Sequence, residues 1–485
     1  MPSAFRTFTL SAGAALTLGG CEAVGPDYRT PVAEVPPHFV STPASGQLLG
    51  AAGEAWWQRL HDPLLNELVA RGSLQNLDVR TAIERIRAAD AALGRTGLNA
   101  QLDGAAGLQV RRQGGDAVDD ETRAGPTVDG RYVLDLFGGA RRGREQALAN
   151  FEAAQLDAGA VRLAYLSDIV ATYIEARYFQ EAVAISRETI ESRRQTLSLV
   201  LDRRAVEEGT ELEVQQARAL LSAAEATLPF LTAQFEASVF HIATLLAEPA
   251  GPLLARMQRG APQPRPRGSG AVGLPADLVR NRPDVRVAER NLAAATAAIG
   301  VSEAQLYPSL AISGDVATGT SDSYGFSPAL SLPLLNRGVL RANRNVAIFT
   351  AREAELDWRN AVLIAIEEVQ TALTSTLNWR RQVTFLERST AESQQVLRLS
   401  RESYTGGLIT LTDVLDAERA FSANRLALAD GVRNWLVSWP QLQVTTGKGW
   451  LVSGQVRPEE VGPPMQRPDP LGVTPEPTVQ ARLDR

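Results

Sequence analysis

One cysteine, Cys21, and three histidines, His38, His61 and His241, are all that 485 residues provide of the usual soft metal ligands. An intramolecular disulfide is impossible with a single thiol, and a zinc or iron site lacks its donors. Apolar runs are short: no stretch of 18 or more such residues occurs, so the sequence contains no transmembrane helix, and a bilayer could be crossed only by strands. Aromatic residues make up 6%, and the net charge of -6 shows no basic excess of the kind that nucleic acid selects. A GxSxG elbow, a P-loop and an HExxH pair are all missing. The one GxGxxG match, Gly268 to Gly273, follows "APQPRPR" instead of a strand and lies outside any βαβ unit. No catalytic, metal or cofactor site is therefore expected, and the chain reads as a non-enzyme.

What is present starts at the N-terminus. Arg6 supplies a positive end, Phe8 to Leu18 an apolar segment, and Leu18-Gly19-Gly20 a small-residue cleavage site directly before Cys21. Residues 1–20 thus read as a signal peptide and the protein as exported. A leucine three residues before a cysteine, with small residues between, resembles the bacterial lipobox, in which the cysteine is acylated and becomes the first residue of the mature chain. An ordinary signal peptide with an incidental cysteine is the alternative. Several acyl chains anchor firmly where one anchors marginally. Glu22, standing where inner-membrane lipoproteins carry Asp, points to the outer membrane.

Proline placement divides the rest. None occurs between Pro126 and Pro229 or between Pro333 and Pro440, and in both windows helix formers dominate with apolar residues three and four apart, as in Leu163, Leu166, Val170, Tyr173 and in Leu363, Ile366, Leu373, Leu377. Long coiled-coil helices follow. The windows match each other at an offset of 200: Arg141 and Arg144 with Arg341 and Arg344, Leu156-Asp157 with Leu356-Asp357, Thr210, Val214 and Ala217 with Thr410, Val414 and Ala417. Repeated matches at one offset indicate duplication. Each window is interrupted late, at "EEGTELEV" (Glu207 to Val214) and at "YTGGLITLTDV" (Tyr404 to Val414), where glycine permits reversal. Two helical hairpins result, and as a continuous helix Gly139 to Glu207 would reach ~100 Å.

Ahead of each hairpin the period changes to two. "QLDGAAGLQVR" and "TVDGRYVLDLF" precede the first; "LYPSLAISGDVA", from Leu306, and "YGFSPALSLPLL" precede the second. Each half therefore offers two strands of roughly ten residues with one apolar and one polar face, the length that crosses a bilayer when tilted. Polar loops, "RQGGDAVDDETRAGP" and "TGTSDSYG", separate the partners, and Pro308, Pro328 and Pro333 weaken the strands they occupy. A soluble hairpin packed on a helical body fits the same periodicity. If the strands do span, four cannot close a barrel wide enough for a channel, so several chains must share one; three chains would give twelve.

These residues resemble the trimeric TolC/OprM-type outer-membrane factors, in particular the lipoprotein branch that serves RND-type efflux pumps. The segments that carry the likeness are "GPDYRTP" and "VPPHF" after Cys21, "EAWWQRLHDPLLNELVARGSLQNLDVRTAIERI" from Glu54, "GLPADLVRNRPDVRVAERNLAAATAAIGVSEAQLYPSL" from Gly273, and "YTGGLITLTDVLDAERA". The resemblance implies a mixed, mostly α fold: coiled-coil hairpins and four strands per chain, assembled as a trimeric α-barrel below a shared 12-stranded transmembrane β-barrel, with a collar between. Its implied partners are two further copies of the chain, a periplasmic adaptor, an inner-membrane RND-type transporter and outer-membrane lipid; nucleic acid is not among them. The implied task is passive export of small molecules. A lipid-anchored periplasmic scaffold that does not span, or a type I secretion duct, are the alternatives. The organisation expected is a signal peptide (1–20), an extended segment after the lipidated cysteine (21–53), a first repeat (54–270), a second repeat (271–450) and a disordered Pro-rich tail (451–485). Relatives carry an aromatic-proline pair entering the first strand, whereas this chain has "TGLNAQLDG".

Carried onto this sequence, the family's periplasmic gate falls at the hairpin ends. Asp413 and Asp416 lie three apart, on nearly one helix face, so a threefold axis would turn inward carboxylates into rings. Asp416 matches the constriction position, and Thr412 stands where relatives narrow the pore with an apolar residue. Tyr404, Arg401 and Arg419 resemble the latch that holds neighbouring hairpins closed. Their first-repeat counterparts are the acids Glu207, Glu208, Glu211 and Glu213. Trp56 and Trp57, just ahead of an amphipathic helix, are expected in the collar instead of at a lipid surface.

Overall fold

The computed structural model describes residues 23–33, 35–37, 39–40, 55–115, 118–265, 275–319 and 322–451. The expected signal peptide, the expected lipidation residue Cys21, the Gly268 to Gly273 match and all but the first residue of the Pro-rich tail lie outside the described residues. In chain order the elements are a 3-10 turn at Trp56–Leu60, helices α1 (Pro63–Gln75), α2 (Leu77–Gly94) and α3 (Leu98–Gln101), strands β1 (Leu102–Gly115) and β2 (Val118–Leu134), helices α4 (Gly139–Ala205), α5 (Glu211–Leu245), α6 (Ala250–Met257), α7 (Pro275–Asn281) and α8 (Pro283–Ala304), strands β3 (Ser309–Ala317) and β4 (Ser323–Ser331), and helices α9 (Arg337–Thr405) and α10 (Leu411–Thr445). Two strands, a very long helix and a 35-residue helix thus occur twice, and α5 and α10 start and stop 200 residues apart.

Two compact units are built from these elements. One comprises Ala91–Asn150 and Asn291–Glu355 with the described residues up to Thr30; the other comprises Pro31–Asp90, Phe151–Arg290 and Leu356–Arg485. Each unit therefore draws on both sequence repeats.

In the first unit the strands form one antiparallel sheet in the order β1-β2-β3-β4. Its register aligns the larger apolar residues of all four strands, Val133 apart, on one face. Ala106 sits opposite Val128, which sits opposite Val316, which sits opposite Tyr324; Leu102, Tyr132, Ile312 and Pro328 make another such row. Alternate rows are polar: Asp103, Arg131, Ser313 and Ser327 in one, Asp129 and Asp315 in the next. The apolar face is bare, with Leu108, Phe326 and Leu330 exposed and Tyr324 at 90%. Pro328 lies in β4, whose outer edge has no partner among the described residues, Pro308 and Pro333 fall outside the strands, and Pro126 lies in β2 opposite Leu108, one residue past the start of the β2–β3 pairing at Thr127.

Two strand expectations and one helix expectation need correction. "RQGGDAVDDETRAGP", expected as a loop, is mostly strand: β1 and β2 pair out to Gly115 and Val118, well past the ends of β3 and β4. Its side chains carry no alternation, but the backbone ladder does not need one. The third strand begins at Ser309 and not at Leu306, because Leu306 and Tyr307 close the last turn of α8 through bonds to Glu303 and Ala304 carbonyls. Finally, α5 and α10 run through Pro229 and Pro440, where the sequence windows stopped. Packing on both sides carries a long helix across one missing backbone bond.

The second unit is helical. Its main core joins the Trp56–Leu60 turn and α1 to the middle of α4 and the C-terminal parts of α5 and α10. Trp56 is fully buried, edge-on to Trp57 (5.7 Å) and to Trp439 (6.2 Å), and its Nε1 donates to the Lys448 carbonyl at 3.1 Å. Asp62 caps α1 through the amides of Leu64 and Leu65 and also accepts from the Tyr173 hydroxyl at 2.5 Å, tying the opening of α1 to α4. Replacing Trp56 by Ala should lower stability by about 3–5 kcal/mol. Replacing it by Phe, which keeps a ring but loses the donor, should cost about 1 kcal/mol. Denaturant midpoints followed by circular dichroism in detergent give the two values.

Candidate functional site at the hairpin ends

Both hairpins turn in the same way. At the end of α4 the Glu208 amide donates to the Arg203 carbonyl and the Glu207 amide to Arg204; at the end of α9 the Leu408 amide donates to Ser403 and the Gly407 amide to Tyr404. This paired pattern closes a helix on a left-handed residue. Gly407 adopts it at φ 71°, whereas its counterpart is Glu207 at φ 67°. The next helix opens on a capping box in both cases. Thr210 pairs with Glu213, and Thr410 with Asp413, whose carboxylate accepts from the Thr410 amide at 2.9 Å and hydroxyl at 2.7 Å.

Asp413 is therefore turned back onto its own helix start. The Thr410 bonds hold its carboxyl below the ordinary carboxylate range, so the cap is fully present above the unfolded pKa and is lost as pH falls through the lowered one. Asp416 is exposed and pairs with Arg419 on the same helix at 2.7 Å. Thr412, one residue before Asp413, is exposed as well.

Beneath the turns lies a small apolar core of Val200, Val214, Ala217, Leu220, Tyr404, Leu411, Val414 and Leu415, which joins all four helices. Tyr404 points into it at 3% exposure, with the Arg203 guanidinium 4.7 Å above its ring and Arg203 Nη1 donating to its carbonyl at 3.1 Å. Burial pushes the Tyr404 phenol up, Glu213 adds to the rise and Arg203 opposes it, so the ring stays neutral. Arg401 crosses to α4, donating to Ser192 Oγ at 2.5 Å and to Glu418 Oε1 at 2.6 Å. Of the three expected latch residues, Tyr404 and Arg401 reach the first hairpin of their own chain, and Arg419 stays on its helix. Among the first-repeat acids, Glu213 caps α5, while Glu208 and Glu211 stand 3.9 and 3.7 Å from Arg203 and Arg204.

Glu418 was missed by the sequence reading and is the centre of this seam. It is 2% exposed; Oε1 also accepts from Thr196 Oγ1 at 2.5 Å, and the buried Oε2 has no hydrogen-bond partner among the described residues. The signal was available, since an acid follows Leu411, Val414 and Leu415 at helical spacing on the apolar stripe. Further along the same seam, Thr189 meets Ser422 at 3.1 Å and Arg425 reaches Glu188 at 2.5 Å. Five polar links between α4 and the second hairpin thus lie over residues 188–203, those of Glu188, Thr189, Ser192, Thr196 and Arg203.

A family model described as "Outer membrane efflux protein" matches residues 70–248 and 274–448. "Nodulation protein T" of Rhizobium leguminosarum bv. trifolii is 36% identical over 453 residues, spanning 90% of this chain and 96% of that protein. "Pyoverdine export outer membrane protein OpmQ" of Pseudomonas aeruginosa is 30% identical over 416 residues, 81% of this chain and 87% of the relative. Among solved structures, the outer-membrane channel OprN superposes with a TM-score of 0.78 at 28% identity, covering 88% of this chain and 99% of that one. The protein belongs to the outer membrane efflux protein family, and its fold is that of the family's outer-membrane channels.

Two predictions follow from the hairpin ends. Glu207→Gly relieves a left-handed side chain and should raise the thermal midpoint, by an amount equivalent to about 1 kcal/mol. Arg401→Met leaves the buried Glu418 carboxylate without its cation and should cost about 3 kcal/mol locally. Faster amide exchange over residues 192–203 and 401–420, with the rest of the chain unchanged, is its signature.

Proposed function

We propose that the chain is one of three identical staves of a passive exit duct in an efflux pump. Three four-stranded sheets close a twelve-stranded barrel in the outer membrane, and the helical hairpins continue the duct into the periplasm. Acyl chains on Cys21 add a lipid anchor. A periplasmic adaptor engages the hairpin ends and an inner-membrane transporter supplies the energy, so the chain itself needs neither cofactor nor catalytic step. The observation that carries this reading is the sheet: one bare apolar face, one polar face, and outer edges of β1 and β4 with no partner among the described residues. Lipid suits the first, a water-filled lumen the second, and neighbouring copies the third. A lipid-anchored scaffold that does not span has no use for that face. A type I secretion duct remains the related alternative; the pyoverdine-export relative favours the efflux branch.

Closure at the periplasmic end falls to the Glu418 seam, with Asp416 facing the axis. Electron microscopy of single detergent-extracted particles should show a threefold tube, and a monomer without a barrel overturns the duct. Current recordings across a bilayer should then show cation preference at neutral pH that weakens in Asp416→Asn; anion preference in the unsubstituted protein removes Asp416 from the pore.

A further inference from the structure

In the first unit, Arg142 on the opening turns of α4 is buried to 4% exposure, yet almost nothing it binds belongs to α4. Its Nε donates to the Val24 carbonyl at 3.2 Å; its Nη2 donates to the carbonyls of Ala23 (3.4 Å) and Gly25 (3.2 Å) and to Asp27 Oδ1 at 2.7 Å. Only Glu145, bound through Nη1 at 2.8 Å, comes from the same helix. One guanidinium thus gathers three consecutive backbone carbonyls and a carboxylate from five residues of the N-terminal segment. The backbone around it has been cleared for that segment. Gly138 takes φ 77°, and a Cβ there would stand 2.3 Å from the Ala23 Cβ; a Cβ on Gly25 would meet Gly300 Cα at 2.5 Å. The Val24 amide completes the seat by donating to the Phe137 carbonyl at 3.1 Å, and Phe137 in turn stacks on Tyr307 at 4.6 Å. Those two rings stand just beyond the ends of β2 and β3, at the level where a spanning sheet meets the membrane interface and where aromatic side chains are favoured.

An arginine that binds a helix start needs none of this; the start of α4 is already capped by Asp135, which accepts from the Ala140 and Arg141 amides. We propose that Arg142 is a positioning residue for the membrane anchor: it fixes residues 23–27 at the foot of the sheet so that whatever is attached to Cys21 enters the bilayer beside the strands. The proposal rests on the acylation of Cys21. One residue, Glu22, separates Cys21 from Ala23, two steps and at most about 7 Å of chain, so with the clamp closed the anchor has almost no freedom of height relative to the apolar face of the sheet. With the clamp open, the anchor and the sheet are joined only through a slack tether, and the lipid no longer helps to hold the strands at hydrocarbon depth.

The test is a double-substitution cycle on the full-length chain in outer-membrane vesicles. Intact-mass measurement first establishes acylation. The quantity then read is the fraction of protein that resists alkaline extraction, for the unsubstituted chain, Arg142→Met, Cys21→Ala behind an ordinary signal peptide, and the pair. In the acylated chain Arg142→Met should lower the resistant-to-extracted ratio about tenfold, the equivalent of one lost charge-assisted contact. In the Cys21→Ala chain the same substitution should change little, because there is no anchor to position. Equal losses in both backgrounds mean that Arg142 merely supports folding and overturn the clamp while leaving the lipid anchor in place. An unacylated natural chain removes the anchor and the clamp together. Asp27→Ala, which leaves α4 and Arg142 intact, runs the same cycle should Arg142→Met fail to accumulate; additivity there overturns the proposal equally.

Discussion

A backbone amide or carbonyl without a partner costs several kcal/mol in hydrocarbon. The four-stranded sheet has two long outer edges, on β1 and β4, and a face of Leu, Val, Phe and Tyr that suits lipid. Those two properties conflict in a single chain and are reconciled only when edges meet edges in a closed ring. Much else in the molecule serves that closure. The duplication supplies two strand pairs per chain in equivalent settings, and the register gathers the larger apolar residues of the four strands, Val133 apart, on one side.

The hairpin ends obey a different rule. Where water is present, a seam can be made of ion pairs and hydroxyls, each worth little alone, and still be definite in geometry. Glu418 is the exception within that seam, because its carboxylate is buried and one oxygen goes unpaired among the described residues. A buried charge held by Arg401 and Thr196 adds less to stability than its distances suggest, since removal from water offsets the attraction. It does tie three helices, α4, α9 and α10, through one carboxylate.

Most of the fold was legible because periods of two and of three to four differ plainly, and because the offset of 200 let each half check the other. The turn positions and the collar placing of Trp56 and Trp57 away from a lipid surface followed from residue type and spacing. Legibility failed where the signal is not carried by side chains. The outer part of the first hairpin is polar throughout and reads as a loop, although its backbone pairs to Gly115 and Val118. It failed again where one residue type has two uses: Asp413 is as good a cap as a pore carboxylate, and only the position of Thr410 decides. Arg142 was noticed by nothing in the sequence, since its partners are carbonyls, which every residue possesses.

The unequal length of the two strand pairs has a consequence at the far side of the membrane. β1 continues eight residues, from Leu108 to Gly115, beyond Gly107, whose partner Thr127 lies opposite the end of β3. At strand rise that is roughly 25 Å of additional ribbon. In a threefold ring the rim would be scalloped, with three tall polar ribbons alternating with three low turns. Any large particle arriving from outside would meet the ribbons first, and those ribbons are encoded in one stretch of the first repeat.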